Sequence, residues 1–274
     1  MRAVSFLAAA AAPHYQAVAA LIARAVGVPE PELVQPGLAR LRDAVADPRP
    51  AVAFLCGLPY VRLRDAGAPV TALAAPVFAQ PGGEEAPAYA TVLVARPGAP
   101  PLARCRIGFN DHGSLSGWLL PRSGLPDPDA LTWIGPTGSH RQSLELLAAG
   151  ELDAAPIDAS VLRLELRRRP AYAALEPRAR FGPMPAPPVV AFGGDPAFHR
   201  AVRGALLALP GSAAGRRALA EGAVLRYAPV TSATYAPVRA VDRRAAAAGA
   251  ATRRPPARGT ATGATGRAAS TRRT

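Results

Sequence analysis

What most constrains this chain is its alternation. Short apolar runs bounded by glycine, proline or polar turns are followed, almost without interruption, by segments with apolar residues at helical spacing. Residues 3–7, 51–56, 70–75, 89–95, 105–109, 131–134, 152–157 and 189–192 read as strands. Residues 14–26, 140–149, 160–168, 196–209 and 213–221 read as helices, and further helices open at Gly57 and Ser116. Ser139 and Gln142 form a capping-box pattern, and Gly150 stands where a helix C′ residue belongs. Such alternation predicts an α/β architecture with mainly parallel sheets.

Two extended stretches, 89–102 and 183–192, read as crossings between lobes. They divide the chain into a discontinuous lobe I, residues 1–96 plus 187–242, and a lobe II, residues 97–186. A cleft lies between them, faced by helix N-termini. Beyond Asp242 the periodicity stops, and 243–274 reads as a disordered tail rich in Arg, Ala and Gly.

Several classes are disfavoured at this stage. The 274 residues can bury a sizeable core, and no run approaches the roughly 18 consecutive apolar residues of a membrane span. Two cysteines, Cys56 and Cys105, and four scattered histidines predict neither a disulfide framework nor a metal site, and no cofactor motif is present. The net charge of +13 suggests nucleic acid until it is located. Eight arginines and no acid lie in 243–274, leaving +5 for the rest. A solvated tail without interleaved aromatics argues against nucleic acid as a partner. The opening residues 1–12 read as a strand and an alanine turn, not as a cleavable signal.

Three strand-to-helix turns carry the chemistry. In Asn110-Asp111-His112-Gly113-Ser114-Leu115-Ser116-Gly117, two serines and a glycine open a helix. Free N–H groups and the positive end of the helix dipole suit an oxyanion there, and Gly117 would let it approach the backbone. Plain helix capping by serine is the simpler use of the same residues. Gly138-Ser139-His140 forms a second turn, with a histidine able to donate to the same anion. Asp158 ends a strand, either facing the cleft or capping the next helix. Tyr60 and Tyr89, at strand edges, offer a phenol and an apolar ring, or simply core packing. A hydrolase using Ser114 and His140 is the rival from another class, although no G-x-S-x-G elbow is present.

Together, residues 52–60, 114–117, 138–140 and 153–158, with the closing stretches 219–222 and 235–239, resemble the phosphate/phosphite/phosphonate-type substrate-binding proteins of ABC transporters. The similarity spans about residues 1–242. It implies a two-lobed type II periplasmic-binding-protein fold with two crossing strands, and a non-enzymatic protein that closes on a phosphorus oxyanion. The implied ligand contacts are Tyr60, Tyr89, Ser114, Leu115 through its N–H, Ser116, Gly117, His140 and, for the family's acidic partner, Asp158. It also implies an ABC permease as partner, a monomer, and an extracytoplasmic location. With no export signal read in 1–12, a cytosolic small-anion sensor of the same fold stays open. This chain departs from the family pattern at Leu115, where a polar residue is usual, and at the bare alanine run 8–12.

Overall fold

The computed structural model describes residues 1–79 and 85–252. The chain opens with β1 (Arg2–Ser5), α1 (Ala12–Ala25), β2 (Leu33–Val34), α2 (Leu41–Ala46), β3 (Ala51–Phe54), α3 (Gly57–Asp65) and β4 (Val70–Phe78). A second lobe follows: β5 (Ala88–Ala95), β6 (Arg106–Gly108), α4 (Leu120–Gly124), β7 (Thr132–Ile134), α5 (His140–Ala148), β8 (Ala154–Asp158), α6 (Ala159–Arg168) and β9 (Glu176–Pro185). A π-helical turn, Leu115–Leu119, leads directly into α4. The chain then returns to the first lobe with β10 (Val189–Phe192), α7 (Pro196–Ala208), α8 (Ala213–Glu221), β11 (Val224–Pro229) and α9 (Ala236–Thr252).

Each lobe is built on one sheet. Lobe I has strand order β11-β4-β10-β3-β1-β2, and lobe II has β7-β6-β8-β5-β9. The middle of the first sheet, β3 and β10, is buried at every position. That is why Ala-Val-Ala-Phe and Val-Val-Ala-Phe read as continuous apolar runs rather than alternating ones.

The sheets are mixed, not mainly parallel. β1 pairs parallel with β2 and β3, and β6 with β7 and β8. β10 and β11 enter the first sheet antiparallel, as β5 and β9 do the second. The reversal follows from the topology, since a strand returning from the other lobe arrives from the opposite end.

The first crossing also lies earlier than the composition suggested. β5 pairs along its length with β8 and β9, so residues 88–95 belong to the second sheet rather than to lobe I. Of the stretch 183–192 read as the return crossing, 183–185 close β9 and 189–192 form β10, which leaves 186–188 between the two sheets. The first part of the expected tail is helical. α9 continues through residues 243–252, held to α3 by Arg62–Asp242 and Arg239–Asp65 ion pairs. The rest of the expected tail, 253–274, lies outside the described residues. No described helix is long and apolar enough to cross a membrane.

Candidate functional site

The three parallel strands of lobe II end on one edge of their sheet, and each ends in a helix. Beyond β6 comes the Asn110–Ser114 turn, beyond β7 the turn to α5, and beyond β8 the start of α6. Parallel strands aim their C-terminal ends into a crevice, so these three turns meet at the cleft.

The first two turns are tied together by backbone. Thr137 N–H donates to the Phe109 carbonyl (2.8 Å), and Gly138 N–H donates to the Asn110 carbonyl (2.9 Å). As a result the helix starts at Ser114 and Ser139 lie side by side. Ser114 is an N-cap, its Oγ accepting from Gly117 N–H at 3.0 Å. Ser139 caps α5 in the same way, accepting from Gln142 N–H at 3.0 Å. Ser116 Oγ and His140 Nε2 lie 3.0 Å apart and link the two starts. Thr91, fully buried in β5, donates from Oγ1 to the Ser116 carbonyl (3.1 Å), fixing this turn against the strand nearest the crossing.

Electrostatically the site is positive without a cation. Two helix N-termini each contribute about half a positive charge. Burial pushes His140 down to about 4, so its imidazole is neutral at physiological pH. Asp158 is the buried acid of the site, and burial raises its carboxyl above the usual range. Its Oδ1 accepts from Ser160 N–H (2.8 Å) and Ser160 Oγ (2.6 Å), so it caps α6.

These residues face a cavity of about 480 Å³ between the lobes. Ser114, Ser116, His140 and Asp158 line it. The other candidates sit elsewhere. Tyr60 is buried in the lobe I core, edge-on to Tyr235 with ring centroids 4.9 Å apart, and does not line the cavity. Tyr89 does not line the cavity but is buried beside Cys56, Ser116 and Asp158, which do. Burial raises its phenol well above the ordinary value, with Cys56 and Asp158 adding to the shift.

The Leu115 side chain is fully buried, and only its backbone belongs to the helix start. Gly117 packs closely against a neighbouring side chain. Its Cα faces the Asn110 side chain, and a Cβ there would overlap Asn110 Oδ1. Glycine allows that close approach of Asn110.

Lobe I supplies residues that carried no motif. His14 contacts the Ala218 carbonyl through Nδ1 (2.6 Å) and Tyr227 Oη through Nε2 (2.9 Å). A carbonyl only accepts, so Nδ1 carries the proton and Nε2 accepts from the phenol. Burial holds this imidazole at about 4. Tyr15 stacks on Phe54 at 4.4 Å, and Cys56, the residue before α3, lines the cavity. The apolar spacing of α1 was visible in the sequence, but nothing there showed which face meets the cleft.

The hydrolase reading does not survive this geometry. The Ser114 hydroxyl caps a helix, the serine paired with His140 is Ser116, and Asp158 is committed to Ser160 rather than to the imidazole. Among the described residues, no cluster of three or more His, Cys, Asp or Glu side chains could hold a metal ion.

Two α/β lobes joined by crossing segments, with helix N-termini aimed into the cleft between them, make an architecture suited to closing on a small solute. Residues 5–235 match the family described as ABC transporter, phosphonate, periplasmic substrate-binding protein, and the chain belongs to that family.

Solved structures agree on the fold. One is PhnD1 from Prochlorococcus marinus in complex with methylphosphonate, with a TM-score of 0.76 and 16% identity over 90% of this chain and 98% of that one. Another is a binding protein component of an ABC phosphonate transporter from Pseudomonas aeruginosa, with a TM-score of 0.74 and 16% identity over 88% and 85%. A third, a protein from Xanthomonas citri bound to ATP, has a TM-score of 0.59 and 16% identity over 92% and 98%. No curated protein matches the chain.

Proposed function

We propose that this protein binds a phosphonate-type phosphorus oxyanion in the cleft and presents it to an ABC permease. The observation that carries the reading is the juxtaposition of two capped helix starts on one cavity wall, joined by the 3.0 Å Ser116–His140 contact. First-turn N–H groups not used in capping, together with the Ser116 hydroxyl, whose proton is left for the anion when His140 Nε2–H donates to its oxygen, are donors that a tetrahedral oxyanion can satisfy. Family membership and the methylphosphonate complex of the Prochlorococcus protein favour phosphonate over inorganic phosphate.

Thermal unfolding and calorimetry against phosphate, phosphite, methylphosphonate and sulfate test this. At 100 times its Kd a ligand should stabilise the protein by about 2.7 kcal/mol. Ser116→Ala removes a hydrogen bond to a charged group, about 1.5–3 kcal/mol, and should weaken binding roughly ten- to a hundredfold. A protein indifferent to every phosphorus oxyanion, or a variant binding as well as the parent, would overturn the reading.

A further inference from the structure

The ends of two stretches singled out in the sequence, 57–60 and 235–239, pack against each other outside the cavity. A Cβ on Gly57 would lie 3.4 Å from Val238 Cγ2 and 3.6 Å from the Tyr235 ring, and Tyr60 meets the same ring edge-on. Arg239, one turn further along, pairs with Asp65 and seats the start of α9 on α3. The cavity wall uses none of these side chains.

Phenylalanine would serve that ring packing equally well, but the Tyr235 hydroxyl reaches further. Fully buried, it donates to the Ala186 carbonyl at 2.8 Å. Ala186 belongs to the return crossing, and its own N–H donates at 2.8 Å to the carbonyl of Pro87, the residue that leads the chain into β5. One buried residue thus joins the two crossings through its N–H and ties both to lobe I through its carbonyl. Pro187 and Pro188, which complete the return path, have no N–H to contribute. Beyond Tyr235, α9 also reaches lobe II, where it packs on β9, α4 and the Leu115–Leu119 turn that carries Ser116.

We propose that Tyr235 is a positioning residue for closure: its hydroxyl fixes the paired crossings against α9 and so sets the angle at which the lobe II anion wall faces lobe I. The inference rests on the oxyanion site proposed above and adds a residue that lies outside the cavity. Rotation between the lobes has to turn the backbone at 186–188, since 176–185 and 189–192 are committed to the two sheets. The Tyr235 hydroxyl holds that pivot at one end, and α9 backs it with contacts to both lobes. Without the hydroxyl, the buried Ala186 carbonyl loses its side-chain donor and the pivot samples a wider range of angles. Fewer molecules then present both walls at the angle the ligand needs, and the apparent affinity falls by that fraction.

The test is Tyr235→Phe in the full chain, which keeps the ring against Tyr60 and Gly57. Exchange of the Ala186 amide proton, followed by NMR without ligand, should quicken about fivefold relative to the amides of β3. That factor is the equivalent of one neutral hydrogen bond of roughly 1 kcal/mol. The calorimetric Kd for methylphosphonate should rise by a similar factor. Val202→Ala, a core truncation in α7, supplies the comparison. It lowers overall stability but should leave the exchange ratio and the methylphosphonate affinity at the parent's values.

A Tyr235→Phe chain with the parent's exchange ratio, or with the parent's affinity, overturns this inference and leaves the oxyanion site standing. So does Val202→Ala if it reproduces both changes, since they would then report lost stability rather than a freed pivot. Failure of the parent to bind any phosphorus oxyanion overturns both.

Discussion

At the scale of single residues, two histidines are buried uncharged on opposite sides of the same cleft. His14 is fixed between a carbonyl and a phenol, and His140 beside a serine hydroxyl, and burial sets both near 4. An unfolded histidine titrates at about 6.5. The folded values are therefore depressed, and the unfolded chain binds more protons between the two. The stability each group supplies is complete above about pH 6.5 and is lost as the pH falls towards 4, at most about 3 kcal/mol apiece. Urea unfolding across pH 4–7 should show stability rising with pH. His14→Gln should remove about half of the histidine contribution to that slope. Parallel pH profiles for variant and parent would refute the assignment.

At the scale of elements, the ion pairs that matter join strands rather than decorate surfaces. Asp153, just before β8, is buried and holds Arg106 of β6 and Arg96 beyond β5 at 3.0 and 2.9 Å, and also accepts from Arg106 N–H at 2.8 Å. Arg106, with Arg96 in support, holds its carboxyl well below the usual range. A depressed carboxylate stabilises fully above its unfolded pKa, about 3.9, and loses that contribution as the pH falls through the folded value. The arginine heads are 34% and 45% exposed, so screening limits the pair to about 1–2 kcal/mol. Asp153→Asn should be less stable by that amount at pH 7, with the deficit shrinking as the pH falls from about 3.9 towards the folded value. A deficit that persists unchanged in acid would argue for a purely steric effect.

The same scale shows what the sequence made legible. Val189–Phe192 and Ala213–Glu221 were readable to the residue, because a buried apolar run and an amphipathic face are local signals. β9 was not. Glu-Pro-Arg-Ala-Arg-Phe-Gly-Pro-Met-Pro contains three prolines and reads as irregular, yet it pairs with β5 at the sheet edge, where missing N–H donors do no harm. The strand character of β9 comes from its partner, and no window of its own sequence contains that. The candidate site divided along the same line. Ser114, Ser139 and Asp158 announce themselves as turn residues at strand ends, whereas Phe6, Phe78 and Tyr227 become cavity walls only once two distant segments face each other.

For the whole molecule, the lobes meet not only through the crossing segments but along an apolar seam beside the cleft. Val161 and Leu164 of α6 pack on Ala10 and Ala11 at the start of α1, and all four are buried. Arg163 and Arg167 add hydrogen bonds from the same helix to the Ala79 and Ala220 carbonyls, at 2.9 and 3.2 Å. Alanine at the α1 side lets α6 approach closely, which gives the alanine run a structural purpose distinct from its place at the cavity rim. A ligand gripped by both lobes draws on the free energy of this seam, because it binds the closed arrangement better than the open one. Ala10 belongs to the seam but not to the cavity wall, so Ala10→Glu loads the lobe contact alone. Burying an unpaired charge there costs several kcal/mol, so the closed arrangement should give way to an open one. Small-angle scattering should then record a larger radius of gyration in the ligand-free variant. Methylphosphonate affinity should fall at least tenfold, since only the closed fraction is competent to grip the ligand. An unchanged radius together with unchanged affinity would mean that the seam makes no contribution to closure, and that the crossing segments alone set the angle between the lobes.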